Sequence, residues 1–232
     1  MSSVPAEGSV IQLQLFHSGR LKPARTPDVH AISIPARAFT GDVYFVHPAD
    51  GRMWFALGDV AGKGINAAVV MAMIQEQLEE ITQYDPSGAM LRLHTFLCPL
   101  LPANRFATMV IGCLCDDGAL SIANAGHPAP LIVRTNGEIE SIDSTGPVVG
   151  ILSGSQWRTF ETSLGAADTL VLYSDGVLEA QSPAGEDFGV RRLAAALTHG
   201  TSKQIGDSVL AAVNRHTGGV RSDDLTLVVV RR

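Results

Sequence analysis

The chain has 232 residues, one large domain or two small ones, with ample apolar content for a core. Its 17 basic and 23 acidic side chains leave a formal charge of −6, and no basic run exceeds two residues, which argues against nucleic acid or an anionic membrane as partner. Three cysteines, Cys98, Cys113 and Cys115, form neither a disulfide framework nor a metal clip. With no cationic leader, and no apolar stretch longer than Ala67 to Ile74, they predict a protein without membrane spans in the reducing cytoplasm.

In chain order, residues 1–28 stand apart from 29–232 and form a tail with a candidate regulatory or docking helix. Its apolar residues Val10, Ile11, Leu13, Leu15 and Phe16 fit either a strand or a short amphipathic helix. Short strand patterns follow over 30–39, 42–48 and 52–60, with "PADGR" as a hairpin turn between the last two. Residues 62–84 have helical spacing at Ala67, Val70, Met71 and Ile74, and a second helix is predicted from Ser87 to Leu101, capped by Asp85 or Ser87. Strands are expected over 106–115, 119–126, 130–134, 138–143, 157–164 and 168–174. Helices over Val190–Leu197 and Ser202–Arg215 precede a closing strand, 225–232. Cys113 and Cys115 fall on one face of their strand as small hydrophobes. Strand pairs joined by short turns, with helices in two blocks, predict an α+β fold of antiparallel sheets covered by helices.

Four aspartates stand at the edges of these apolar runs: Asp42 in "TGDVYF", Asp59 in "GDVAGKG", Asp175 in "LYSDGV" and Asp223 in "SDDLTLVVV". Asp beside Gly is a common turn pair, so each alone has an ordinary explanation. Four together, drawn from distant parts of the chain, predict one site assembled by folding, and hard oxygen-liganded dications would neutralise it. The glycines of "GDVAGKG" match neither nucleotide-binding loop pattern; they shape a turn that aims Asp59 inward, and Lys63 reads as a helix-flanking charge.

The order "GDVAGKG", "ANAGHPAPLIV", "TLVLYSDGVLEA", "FGVRRL" and "DDLTLVVV" resembles the stage II sporulation protein E-like branch of the metal-dependent serine/threonine protein phosphatases, the protein phosphatase 2C class. The resemblance runs from about Ala31 to Val230. It implies a central antiparallel β-sandwich flanked by helices on both sides, in four layers α-β-β-α. It implies two Mn²⁺ or Mg²⁺ ions held by Asp42, Asp59, the carbonyl of Val60, Asp175 and Asp223, with Asp59, Asp175 and Asp223 central to catalysis. Two such ions supply a water of lowered pKa and neutralise a transferring phosphoryl group. Arg37 would bind the substrate phosphate, a role suited to a planar guanidinium.

The resemblance further implies a phosphoserine or phosphothreonine substrate on a regulatory protein, an anti-sigma-factor antagonist in bacterial partner switching, with a homodimer or an N-terminal sensor domain as further contact. Where relatives carry Gly-Gly-Asp and a second acid three residues on, this chain has Thr40-Gly41-Asp42 and Phe45, which admits a pseudophosphatase that signals by contact. A nucleotidyl cyclase also uses carboxylates and sheets but fits the order of motifs badly. Asp224 competes with Asp223 for the ligand role, and the resemblance favours Asp223. His127, in a turn of Asn124, Gly126 and Pro128, reads as structural.

Overall fold

The computed structural model describes residues 27–36, 40–62, 64–102 and 105–232. Among them, ten strands make two antiparallel sheets. The first orders β1 (Asp28–Ile34), β10 (Leu225–Arg231), β9 (Thr169–Tyr173), β6 (Leu131–Val133) and β7 (Ile139–Ser141). The second orders β2 (Asp42–Ala49), β3 (Arg52–Val60), β4 (Ala107–Cys115), β5 (Ala119–Ala125) and β8 (Phe160–Ser163). Helices α1 (Ile65–Gln77) and α2 (Pro86–Leu97) cover the second sheet; α3 (Asp175–Leu178), α4 (Gly189–Ala196) and α5 (Ser202–Thr217) cover the first. The result is the expected α-β-β-α sandwich.

Strand alternation sorts the apolar residues into three layers. On β3, Trp54, Ala56 and Val60 face the helices while Phe55 and Leu57 face the other sheet. On β10, Leu225, Leu227 and Val229 lie under α5, and Val228 and Val230 turn to the intersheet layer. Both faces are buried, so the run from Leu227 to Val230 is continuously apolar instead of alternating. Cys113 packs in the helix-side layer of the second sheet, where burial pushes its thiol up to about 11 and leaves it inert.

Local signals place the elements. Asp50 (φ 50°) and Gly51 (φ 72°) give the β2–β3 hairpin the two positive φ angles of a tight primed turn. The Asp85 carboxylate accepts the Gly88 N–H at 3.2 Å and Pro86 occupies the first turn, which starts α2. Thr201 and Gln204 form a capping box on α5. Asp28 of β1 accepts the Ser202 N–H and hydroxyl at 2.7 and 2.8 Å, tying that helix start to the sheet.

Several boundaries differ from the sequence expectation. The helix expected over 62–84 ends at Gln77, and a separate tight turn covers Glu80–Gln83. Buried Ile74, Leu78 and Ile81 keep one apolar face across the break, so spacing alone reads through it. α2 stops at Leu97: Cys98 still has helical geometry, but Pro99 has no N–H to continue the ladder. Pro35 likewise follows directly on the end of β1 at Ile34. The four-residue α3 at Asp175 was not expected; it is too short to show periodicity.

Candidate active site

One rim of the sandwich gathers the acids. β2 opens on Asp42 and β3 closes on Asp59 and Val60, with Asp42 directly opposite Asp59. At the same rim β9 runs into Ser174 and Asp175, and Asp223 and Asp224 lead into β10. Alternation carries Asp42 and Asp59 onto the intersheet face, continuing the rows of Tyr44 and Val46 and of Phe55 and Leu57. Thr108, Asn124 and Thr226 continue the rows of Val110, Ile122 and Val228 in the same way. Among the described residues the middle of the intersheet layer is apolar, and it turns polar at this rim.

A hydroxyl network joins the sheets across this rim. Thr226 donates to Asp42 Oδ2 at 2.5 Å, and Ser33 Oγ lies 3.2 Å from Thr226 Oγ1. The Ser174 hydroxyl donates to the Asp224 carbonyl at 3.2 Å and accepts the Thr226 N–H at 2.9 Å. Gly176 leaves room for this crossing: a Cβ there would meet the Asp224 carbonyl oxygen at 1.9 Å.

Burial, reinforced by the charges of Asp59 and Asp224, pushes the Asp42 carboxyl up to about 8 against the opposing Thr226 bond. Burial and the charges of Asp175, Asp223 and Asp224 raise Asp59 to about 6. None of the ion pairs among the described residues involves Asp42 or Asp59. Nor do three acidic, histidine or cysteine side chains among them close on one point as a ready cage. Among the described residues these acids thus share a field without closing on one point. Hard dications suit this set, since they keep several waters and take one or two carboxylates each.

The two C-terminal acids separate. Asp224 spends both oxygens on the main chain, accepting the Ala36 N–H at 2.7 Å and the Gly41 N–H at 3.1 Å. Asp223 Oδ1 accepts the Asp224 N–H at 3.1 Å. On the other sheet the Val60 N–H donates to the Gly41 carbonyl at 3.2 Å, and Arg105 Nη1 donates to the Ala61 carbonyl at 2.7 Å. Gly62 (φ 113°) sits beneath that guanidinium, and a Cβ would fall 1.5 Å from Nη1. The glycine therefore makes way for Arg105, in keeping with a turn-shaping role.

His127 is buried, with Nδ1 2.9 Å from Thr108 Oγ1 and its N–H donated to Asn124 Oδ1 at 2.9 Å. Burial pushes it down to about 3, so it is neutral at physiological pH and joins β4 to the turn after β5. Phe45 lies in the helix-side core, on the opposite face of β2 from Asp42, so the departure from the relatives' pattern there faces away from the acids. Arg37 and Lys63 lie outside the described residues. Sequence reasoning missed Thr226, Thr108, Arg105 and the clasp made by Asp224.

Two five-stranded antiparallel sheets between helix layers, with acids from both sheets at one rim, define a protein phosphatase 2C-type domain. The PP2C phosphatase domain of the cell fate determinant SpoIIE from Bacillus subtilis, solved with a fragment of its regulatory domain, superposes with a TM-score of 0.78 at 20% identity, covering 90% of this chain and 64% of that one. The family described as Stage II sporulation protein E (SpoIIE) matches residues 49–232, and the chain belongs to it. It is 28% identical over 90% of its length to Protein IcfG from Synechocystis sp. and 28% identical over 88% to phosphoserine phosphatase RsbU from Bacillus subtilis. It spans 39% and 63% of those two proteins.

Proposed function

We propose that this chain is a Mn²⁺- or Mg²⁺-dependent serine/threonine protein phosphatase that acts on a phosphorylated regulatory protein, of the anti-sigma-factor antagonist kind used in bacterial partner switching. The observation that carries the reading is the rim itself: acids from both sheets raise one another's affinity for protons, and no lysine or arginine among the described residues pairs with Asp42 or Asp59. Asp59, the Val60 carbonyl, Asp175 and Asp223 would hold two ions, with Asp42 acting mainly through water. Bound there, the ions supply a nucleophilic water at neutral pH and neutralise the phosphoryl group.

The chain's own groups do the positioning. Thr226 fixes Asp42 Oδ2, and the Thr40 hydroxyl accepts the Asp42 N–H at 3.0 Å, which aims the carboxylate inward. The Gly41 carbonyl takes the Val60 N–H and the Phe106 carbonyl takes the Ala61 N–H at 2.9 Å, which hold the peptides on either side of Val60, and Arg105 holds the next one at the Ala61 carbonyl. Asp224, bonded to backbone, leaves the ligand role to Asp223. Arg37 would grip the substrate phosphate. Membership of a family with a member named phosphoserine phosphatase supports the substrate chemistry.

Residues 1–28 would regulate the catalytic domain at 29–232 by docking on it, on a second copy or on a sensor domain; residues 1–26 lie outside the described set. No helix among the described residues is long and apolar enough to cross a membrane, and the free cysteines support a reducing cytoplasm.

The test is phosphate release from a phosphoserine peptide by the full chain with and without Mn²⁺. Metal-stimulated release is expected. A chain that binds Mn²⁺ but frees no phosphate from any phosphoserine or phosphothreonine peptide overturns the reading and leaves an interaction module.

A further inference from the structure

We infer that Arg105 is a positioning residue for the metal site: its guanidinium, lying against Gly62, holds the Ala61 carbonyl so that the Val60 carbonyl stays turned to the acids, and the Mn²⁺ affinity of the rim depends on it. The inference rests on the metal site in the reading above. Successive residues of an extended strand turn their hydrogen-bonding groups to opposite neighbours. At the end of β3 the Val60 N–H goes to the Gly41 carbonyl, on the β2 side. The Ala61 N–H goes to the Phe106 carbonyl at 2.9 Å, and Arg105 Nη1 donates to the Ala61 carbonyl at 2.7 Å, both on the β4 side. The Val60 carbonyl is thereby left facing Gly41. There it shares one space with Asp59: the position that a Cβ of Gly41 would take lies 2.8 Å from Asp59 Oδ1 and 3.2 Å from the Val60 carbonyl oxygen. Carboxylate and carbonyl oxygens on one space suit Mn²⁺ or Mg²⁺.

The side chain of Arg105 supplies what its main chain does not, since its own N–H is spent on the Pro102 carbonyl at 2.8 Å. Gly62 is the counterpart. At φ 113°, with a Cβ position 1.5 Å from Nη1 and 2.8 Å from Cζ, only glycine lets the guanidinium lie against the turn. Arg105 also brings a positive charge toward a site for dications, and this gives the inference a sign. By charge alone its removal would strengthen Mn²⁺ binding, because like charges repel. Through position, its removal weakens Mn²⁺ binding.

The full chain would be compared with Arg105→Ala, Arg105→Lys, Gly62→Ala and the double variant Gly62→Ala/Arg105→Ala. Mn²⁺ affinity is read by calorimetry, beside kinetics on a phosphoserine peptide over a range of Mn²⁺ concentrations. Arg105→Ala should weaken Mn²⁺ by about tenfold, and raising Mn²⁺ to saturation should bring its kcat back to within about threefold of the unmodified chain. Arg105→Lys, which keeps a cationic donor, should lose less. Gly62→Ala should weaken Mn²⁺ as well, and the double variant should lose no more than Gly62→Ala alone, because both changes break one contact. Mn²⁺ affinity unchanged or strengthened in Arg105→Ala overturns the inference, and a KM raised at saturating Mn²⁺ would then make Arg105 a substrate ligand. Losses that add in the double variant overturn it too. If Arg105→Ala does not fold, Arg105→Lys and Gly62→Ala carry the comparison. An unmodified chain that binds Mn²⁺ and frees no phosphate removes the phosphatase reading, and the calorimetry still decides this inference. One that binds no Mn²⁺ removes both.

Discussion

β9 runs between two groups of acids with opposite fates. At its start, Asp168 accepts from Arg134 Nη1 at 3.0 Å and from the N–H groups of Thr135 and Gly165, while Glu140 grips the same guanidinium at 2.8 and 2.9 Å. Burial alone would raise Asp168, yet Arg134 and those N–H groups hold it below the usual carboxylate range. Beyond the other end of the strand, Asp42 and Asp59 are buried among further acids and pushed up. An acid whose bonds are complete within the chain holds the fold together. The acids around Asp42 and Asp59 raise one another instead, and the fold bears that repulsion.

The largest effect that sharpens this contrast is on activity. Asp59→Asn and Asp175→Asn should each lower metal-dependent phosphate release by about 100-fold or more, with circular dichroism unchanged. In the metal-free protein Asp59→Asn should also raise the melting temperature, because it removes a repelling buried charge. Equal activity in the variants, or a lower melting temperature for metal-free Asp59→Asn, would break the comparison.

At the other end of β9 the signs reverse. Asp168→Asn should cost about 1–3 kcal/mol in denaturant unfolding, since it leaves Arg134 and a buried N–H under-satisfied, and should leave phosphatase kinetics unchanged. A neutral change in stability would mean that the compensated cluster does not support the fold.

His127 tests whether its ring adds a positive charge beside the rim. Its folded value is about 3 against an ordinary 6.5, so the fold favours the neutral ring. That contribution is complete above the unfolded value and is lost as pH falls from 6.5 toward 3. Unfolding free energy should drop by about 2 kcal/mol between pH 7 and pH 5 from this group, and His127→Gln should flatten that part of the curve. A slope identical in the variant would show the ring to be charged or exposed. The smallest effect is expected at Arg37, where Arg37→Ala should raise KM about tenfold with kcat unaltered, as lost uniform binding does. Steady-state kinetics with KM unmoved would remove the phosphate clamp.

Much of this was legible because strand alternation is a local property. The rows that end in Asp42, Asp59 and Asp175 can be followed along the chain, and the abrupt change from apolar to acidic marks each strand end. Asp224 and Thr226 gave no such signal. Asp224 has its partners 183 and 188 residues away, and Thr226 sits within an apolar strand with its acceptor 184 residues away. Arg105 drew no notice, because its acceptor, the Ala61 carbonyl, carries no side-chain signature. Boundaries missed at Gln77 and Leu97 came from a tightened turn and from Pro99, both of which leave the apolar spacing intact.

The order of strands in the first sheet also bears on how the protein is made. Among the described residues β1 pairs only with β10, which enters between β1 and β9. While the chain is being synthesised, β1 must wait with an open hydrogen-bonding edge until residues 225–231 emerge, and such distant pairing is slow. Asp223 and Asp224 arrive with that same strand. A nascent chain thus has no partly working catalyst to release: the step that seals the sheet is also the step that completes the rim.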